Sequence, residues 1–106
     1  MPGRERLSEP EIRAALQELH GWAFESGALS RAYKTNGWPS TLMLVNAIGF
    51  LAEALDHHPD LDVHWGSVAI RLSTHSAGGV TPMDAELARQ IAAIAERGTK
   101  RKLVEP

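Results

Sequence analysis

The chain of 106 residues contains no cysteine. This absence excludes a disulfide scaffold, a thiolate zinc site and cysteine-based nucleophilic catalysis. Positive charge is not in excess either, since the formal net charge is −2 and the isoelectric point is about 6.2. A protein that binds duplex nucleic acid usually carries a strongly basic face, so that class is disfavoured.

Long apolar stretches are also missing. No uninterrupted apolar run of about 18 residues occurs, so we expect no helix that spans a membrane. Residues 1–11 are charged and lack the apolar segment of a secretory signal. With the absence of cysteine, this predicts a cytoplasmic protein.

The composition is that of one globular domain. Hydrophobic residues make up 43% of the chain and charged residues 23%, which is ordinary for a folded domain of this length. We expect a single domain over residues 1–106, with an ordered core at about 7–97. The charged residues before it are predicted to form a mobile leader, and residues 99–106 a frayed tail.

Hydrophobic periodicity predicts seven elements in the order helix, strand, strand, helix, strand, strand, helix. Each hairpin alternates with a helix, which favours an antiparallel sheet covered on one face. The predicted class is α+β, a two-layer domain with a four-stranded antiparallel sheet and three helices on one face. The predicted helices begin at Ser8, Ser40 and Pro82, and the strands cover 22–25, 29–35, 62–65 and 67–75.

The predicted helix 40–55 is apolar around more of its circumference than one sheet can cover. At ~100° per residue its apolar side chains span roughly 220°, whereas a helix on one sheet needs about 100° or somewhat more. Either its own domain covers the helix on two sides, or the second side meets another subunit, and we favour the subunit contact. The two edges of the arc are formed by Val45, Ile48, Ala52 and Leu55 and by Met43, Ala47, Phe50 and Ala54.

Three of the five histidines fall at the ends of two neighbouring predicted strands. His57 and His58 precede the strand at 62–65, and His75 ends the strand at 67–75. If these strands pair antiparallel, both segments lie at one rim of the sheet. Imidazole titrates near pH ~6.5, so a cluster of imidazoles can both donate and accept a proton at neutral pH.

Other interpretations of the histidines remain open. Each could be a surface or cap residue without chemistry, and a metal site with Asp56, Asp60 or Asp62 as further ligands is a second possibility. Adjacent histidines are poor spacing for one metal, because neighbouring side chains diverge in extended chain. We therefore expect no metal.

Three further residues have a structural and a functional interpretation. Asp84 follows Thr81 by three positions and is explained as a capping carboxylate, although it could also orient a histidine. Glu53 lies one turn before His57 and could hydrogen-bond that ring, or it could be a solvated residue. Trp65 could pack on a flat ligand or fill the core.

The spacing of these residues resembles the signature of the pterin-4a-carbinolamine dehydratases. That pattern has an acidic residue, three spacers, His-His-Pro, five spacers, an aromatic, nine spacers, His, eight spacers and Asp. The loop over 72–81 is also similar, and the resemblance covers about 7–95. The matching positions are Glu53, His57, His58, Pro59, Trp65, His75 and Asp84.

The resemblance implies dehydration of 4a-hydroxytetrahydropterin to quinonoid dihydropterin, which recycles the cofactor of aromatic amino acid hydroxylases. It implies catalysis by His57, His58 and His75 without cofactor or metal, with Glu53, Trp65 and Asp84 in supporting positions. Many members carry Trp where this chain has Leu61, so this chain lacks one flat surface at the expected pocket rim. The implied substrate contacts are Asp56, His57, His58, Ser73, Thr74, His75 and Ser76.

The resemblance also implies assembly. Family members form homodimers and homotetramers, often through the long helix, which suits the apolar arc of helix 40–55. Some relatives act as dimerisation partners of transcription regulators, so a binding module of the same fold is the alternative function.

A metal-dependent hydrolase that uses the same histidines is a third hypothesis. Neither nucleic acid nor membrane is an expected partner.

Overall fold

The computed structural model describes residues 5–104 of the chain, with side chains described as far as Glu96. Of the predicted leader, residues 1–4 lie outside the described part. The elements are α1 (Glu9–Gln17), β1 (Ala23–Glu25), β2 (Ala28–Lys34), α2 (Trp38–Leu55), β3 (Asp60–His64), β4 (Ser67–Leu72), a 3-10 turn (His75–Ala77) and α3 (Pro82–Val104).

The four strands form one antiparallel sheet in the order β1-β2-β4-β3. Burial alternates along β4, where Val68, Ile70 and Leu72 are buried and Arg71 is exposed. The helices therefore cover one face of the sheet and leave the other open. The predicted α+β class, element order and antiparallel pairing are confirmed.

The core lies between the sheet and the helices. It is built almost entirely from aliphatic side chains, whose burial supplies most of the favourable free energy of folding. The largest fully buried apolar side chains are Leu19, Leu29, Ile48, Val68, Ile70, Leu72, Val80, Leu87 and Ile91.

Helix α1 begins as its sequence predicts. The Ser8 hydroxyl accepts from the Glu11 amide, and the Glu11 carboxylate accepts from the Ser8 amide, which completes a capping box. The hydrogen bond from the Ser8 backbone, with that of its side chain, lowers the pKa of Glu11.

Helix α3 corrects one prediction. The predicted tail begins at residue 99, after Gly98, yet the helix continues to Val104, and residues 105–106 lie outside the described part. A glycine in a helix costs only about 1 kcal/mol relative to alanine, and the lysines and arginine that follow are good helix formers. The predicted frayed tail is therefore helical as far as Val104.

Helix α2 begins two residues earlier than predicted, at Trp38. Its mean hydropathy of 1.3 over 18 residues makes it long and apolar enough to cross a membrane by length and composition. The core helix of a globular domain meets the same criterion. Here Asn46 and Glu53 interrupt the apolar sequence, and Ile48 and Ala52 are buried in the core with the sheet and α3.

Strand β4 is shorter than predicted, because the ladder ends at Leu72 rather than His75. Thr74 instead pairs with Gly79 in an isolated bridge, which closes a small loop around His75. The backbone groups of that segment are satisfied locally, so they are not available to continue the sheet.

Two glycines with positive φ, Gly21 and Gly27, flank β1. Ser26 (φ 51°) and Gly27 (φ 79°) form a two-residue hairpin loop with positive φ at both positions, as a type I′ turn requires. Gly21 (φ 85°) also adopts a left-handed conformation, and the Arg31 guanidinium lies 2.3 Å from where its Cβ would be.

This difference predicts that replacement by alanine lowers the free energy of unfolding by different amounts at the two glycines. Gly27→Ala meets only backbone strain, because no atom lies within 4 Å of its added Cβ, and should destabilise by about 1 kcal/mol. Gly21→Ala must in addition displace Arg31 from Tyr33, over whose ring it lies at 4.4 Å. We expect it to cost about 2 kcal/mol. Urea denaturation of both variants measures this, and equal costs would contradict the contact argument.

Candidate active site

The end of α2 directs the two adjacent histidines. Asp56 adopts a left-handed conformation (φ 51°, ψ 46°), its amide donates to Glu53 and the His57 amide donates to Ala52. This is a Schellman arrangement, in which the left-handed position is more often glycine. Pro59 follows and favours extended chain at His58. The chain therefore turns sharply after Leu55 and enters β3.

The turn directs His57 into the protein. Its side chain is only 9% exposed, and Nε2 is hydrogen-bonded to Oδ1 of the fully buried Asp84, the third residue of α3. Since an ionised carboxylate can only accept, Nε2 carries the proton. In the neutral form of the ring, Nδ1 is then the nitrogen that can take up a proton.

Asp84 is held by more than His57. Its second oxygen, Oδ2, accepts from the Thr81 amide at 2.9 Å and from the Thr74 hydroxyl at 2.8 Å. A buried charge without such donors would be strongly unfavourable. The two interpretations of Asp84 are thus both realised, because one oxygen caps α3 and the other binds His57.

His75 stands in the small loop that Thr74 closes. The carbonyl of Thr74 accepts from the amides of Ala77 and Gly78, and its own amide donates to Gly79. His75 is exposed at the start of the 3-10 turn, and among the residues whose side chains are described it contacts no carboxylate. Its ring is available to solvent or to a ligand.

Glu53 pairs with a different histidine from the one predicted. Its carboxylate lies 2.9 Å from Nε2 of His58, not beside His57, and both side chains are largely exposed. The prediction assumed that the helix continues through His57. Because the left-handed turn at Asp56 sends His57 inward, His58 comes to lie over Glu53.

The predicted site residues divide by position. His57, His58 and His75 flank the ends of β3 and β4, where Asp60 pairs with Arg71, so they share one rim as expected. The exposed residues Asp56 and Ser76 and the half-buried Ser73 belong to the same segments, whereas Thr74 is buried.

Trp65 lies at the opposite end of β3, about 16 Å along the strand from Asp60. Its backbone carbonyl accepts from the buried Thr41 at 2.8 Å, and its ring is 70% exposed. Within one chain Trp65 therefore does not meet the histidines. The predicted core role is wrong, because the side chain is exposed, whereas stacking on a flat ligand stays a prediction.

The sequence reasoning missed the hydroxyl groups around Asp84. Thr81 precedes the predicted start of the helix at Pro82, but the contact between its hydroxyl and that of Thr74, at 2.9 Å, was not predicted. The signal available was two threonines seven residues apart across a Gly-Gly turn.

A groove of about 550 Å³ lies on the helix-free face of the sheet. None of the three histidines lines it, so it is separate from the candidate site. The groove is lined by Ala23, Ser30, Ala32, Asp60, Ala69 and Arg71, among others.

Among the residues whose side chains are described, no three histidine or acidic residues are grouped so as to hold a metal ion.

Comparison with known proteins identifies the family. The family model for pterin 4 alpha carbinolamine dehydratase matches residues 5–94. A relative of that name from Aquifex aeolicus is 44% identical over 86 residues, which cover 81% of this chain and 87% of the relative. One from Nocardia farcinica is 44% identical over 87 residues, covering 82% and 92%. The chain belongs to this family.

Solved structures share the fold. A protein from Brucella melitensis described as a transcriptional coactivator/pterin dehydratase has a TM-score of 0.83 at 35% identity, covering 86% of this chain and 99% of that one. A pterin dehydratase-like protein described as a RuBisCO assembly factor in the alpha-carboxysome has a TM-score of 0.62 at 19% identity, covering 72% and 90%. The second likeness concerns the fold alone.

The burial of Asp84 predicts a large effect of its removal. Asp84→Ala leaves the Thr81 amide, the Thr74 hydroxyl and His57 without their shared acceptor, and should destabilise by about 3 kcal/mol. Asp84→Asn keeps the volume and should cost about 1–2 kcal/mol, since one amide group cannot accept on both sides. Thermal or urea denaturation measures both.

The exposed carboxylate–histidine pair is the matched control. Glu53→Gln removes the charge beside His58 while both side chains stay in water, so we expect a change within about 0.5 kcal/mol. A cost for Asp84→Ala as small as that of Glu53→Gln would show that the buried contacts of Asp84 do not stabilise the fold.

Proposed function

We propose that this protein dehydrates 4a-hydroxytetrahydropterin to quinonoid dihydropterin by histidine acid–base catalysis. The observation that carries the proposal is the pairing of His57 with the buried Asp84 at the rim that His58 and His75 share. Membership of the dehydratase family supports the same substrate class.

The reaction needs two proton transfers and no change in oxidation state. The bond from C4a to the hydroxyl oxygen breaks, and that oxygen takes a proton and leaves as water. A ring nitrogen of the pterin loses a proton, and its electron pair forms the new double bond to C4a. One imidazolium and one neutral imidazole at opposite sides of the ring supply both steps.

The three histidines differ in a way that suits this division. His57 is buried and held by a carboxylate, so its ring is fixed and its Nδ1 is a preorganised base. His58 and His75 are exposed and can exchange protons with water after each turnover. The segments Asp56–His58 and Ser73–Ser76, which flank the ends of β3 and β4, would then lie on either side of the pterin.

We expect His57→Ala or His75→Ala to slow dehydration by at least about 10²-fold, because each removes a positioned proton donor or acceptor. Stopped-flow decay of the 4a-carbinolamine, with and without protein, measures the rate. Circular dichroism checks that each variant is folded.

His64→Ala is the matched control. His64 is exposed, pairs with Asp62 on the helix-free face and lies at the far end of β3, so its removal should leave the rate unchanged. Turnover like that of the unchanged protein in both His57→Ala and His75→Ala would refute the acid–base assignment.

A second candidate function is a binding or dimerisation module, and the apolar face of α2 favours assembly of some kind. Met43 and Phe50 are 72% and 77% exposed. Ala47 lies between them and Ala54 one turn beyond Phe50, on the same side of the helix. Exposed apolar patches of this kind mark protein contacts. We propose that this face forms a homodimer or homotetramer.

Phe50→Asp should shift the protein to monomers, weakening assembly by about 30-fold or more, as loss of a central aromatic contact does. The monomer fold should change by less than about 0.5 kcal/mol. Sedimentation velocity measures the assembly. Ala14→Asp, which adds the same charge to the exposed side of α1, is the control, and an unchanged profile for Phe50→Asp would rule out this interface.

A further inference from the structure

We propose that Thr74 is a positioning residue that couples His57 to His75, rather than a residue that contacts the substrate. This inference rests on the proposed function and deepens it. It departs from what family resemblance implies for this position, namely direct contact with the pterin.

The side chain of Thr74 is buried and hydrogen-bonded to other side chains of the protein. The residue is 6% exposed, and its hydroxyl lies 2.8 Å from Oδ2 of Asp84 and 2.9 Å from the hydroxyl of Thr81. The single hydroxyl proton is taken by Asp84 and one lone pair by Thr81, so this buried group has no proton left to donate to a ligand.

Proton counting fixes the direction of these bonds. A carboxylate has no proton to give, so the single hydroxyl proton of Thr74 goes to Asp84. The Thr81 hydroxyl has two acceptors in reach, Thr74 at 2.9 Å and Oδ2 of Asp84 at 3.5 Å. Because the contact with Thr74 is much the shorter, we assign the proton of Thr81 to Thr74. The chain of donors runs from Thr81 to Thr74 to Asp84, and the other oxygen of Asp84 accepts from His57.

The backbone of the same residue sets the loop of His75. The Thr74 carbonyl accepts from the amides of Ala77 and Gly78, and the bridge to Gly79 closes the loop. One residue therefore contacts the carboxylate that orients His57 and also anchors the turn that presents His75. A shift of Thr74 would therefore change the position of the His57 ring relative to the His75 ring.

The test separates positioning from substrate contact. Thr74→Val keeps the shape and removes the hydroxyl. We expect kcat to fall by about 10-fold or more while KM stays within about two-fold, because misplaced catalytic groups reduce the rate of the chemical step rather than binding. Thr74→Ser restores the hydroxyl and should recover most of kcat.

A second readout does not depend on activity. The 15N signals of the His57 ring report which nitrogen carries the proton, and they should change in Thr74→Val because Asp84 loses one donor. Thr41→Val is the matched control. It removes a fully buried, hydrogen-bonded hydroxyl near Trp65, and should leave both kcat and the His57 signals unchanged.

Each outcome is decisive. A raised KM with unchanged kcat would make Thr74 a substrate contact and overturn the proposal, as would His57 signals identical to those of the unchanged protein. If the unchanged protein shows no dehydration but the ring signals still move in Thr74→Val, the coupling stands and the proposed function fails. If Thr74→Val does not fold, Thr81→Val removes the donor to Thr74, and unmoved His57 signals in that variant overturn the proposal.

Discussion

The buried hydrogen bond between His57 and Asp84 is the interaction on which the site depends. It joins the end of α2 to the start of α3, two segments 27 residues apart. A carboxylate can remain ionised in the interior only if donors surround it, and the Thr81 amide and the Thr74 hydroxyl complete that set. One side chain therefore both caps α3 and orients the ring of His57.

This sharing explains how three segments become one site. The left-handed residue Asp56 turns the chain so that His57 enters the interior, and the same turn brings His58 over Glu53. Two imidazoles adjacent in sequence thereby acquire different environments, one buried and fixed, the other exposed to water. Two proton transfers in opposite directions are best served by groups that differ in this way.

Helix α2 contributes to both the site and the surface. Its C-terminal turn positions the histidines, Ile48 and Ala52 pack in the core, and Met43 and Phe50 remain uncovered. Any partner that covers the exposed face would also stiffen the helix whose end holds His57. The exposed apolar face and the turn that positions His57 therefore belong to one helix, and a solved structure that shares this fold is described as a transcriptional coactivator/pterin dehydratase.

The sequence alone determined the element order, the two antiparallel hairpins and the shared rim of the histidines, but not the pairing of β2 with β4 that joins the hairpins into one sheet. Each of the first three follows from local patterns: the capping box at Ser8, the alternation along β4, and the antiparallel pairing of the strands beside His58 and His75. Hydrophobic periodicity indicates which face of an element is buried, so it can be interpreted without knowledge of the rest of the fold.

Only the tertiary structure decided the contacts. Four features depend on backbone turns and on residues far apart in sequence. They are the partner of Glu53, the early end of β4, the distance of Trp65 from the histidines, and the hydrogen bonds that Thr74 and His57 make to Asp84. Backbone dihedrals at Asp56 and the satisfaction of buried polar groups are three-dimensional constraints. No local pattern of residue types specifies them.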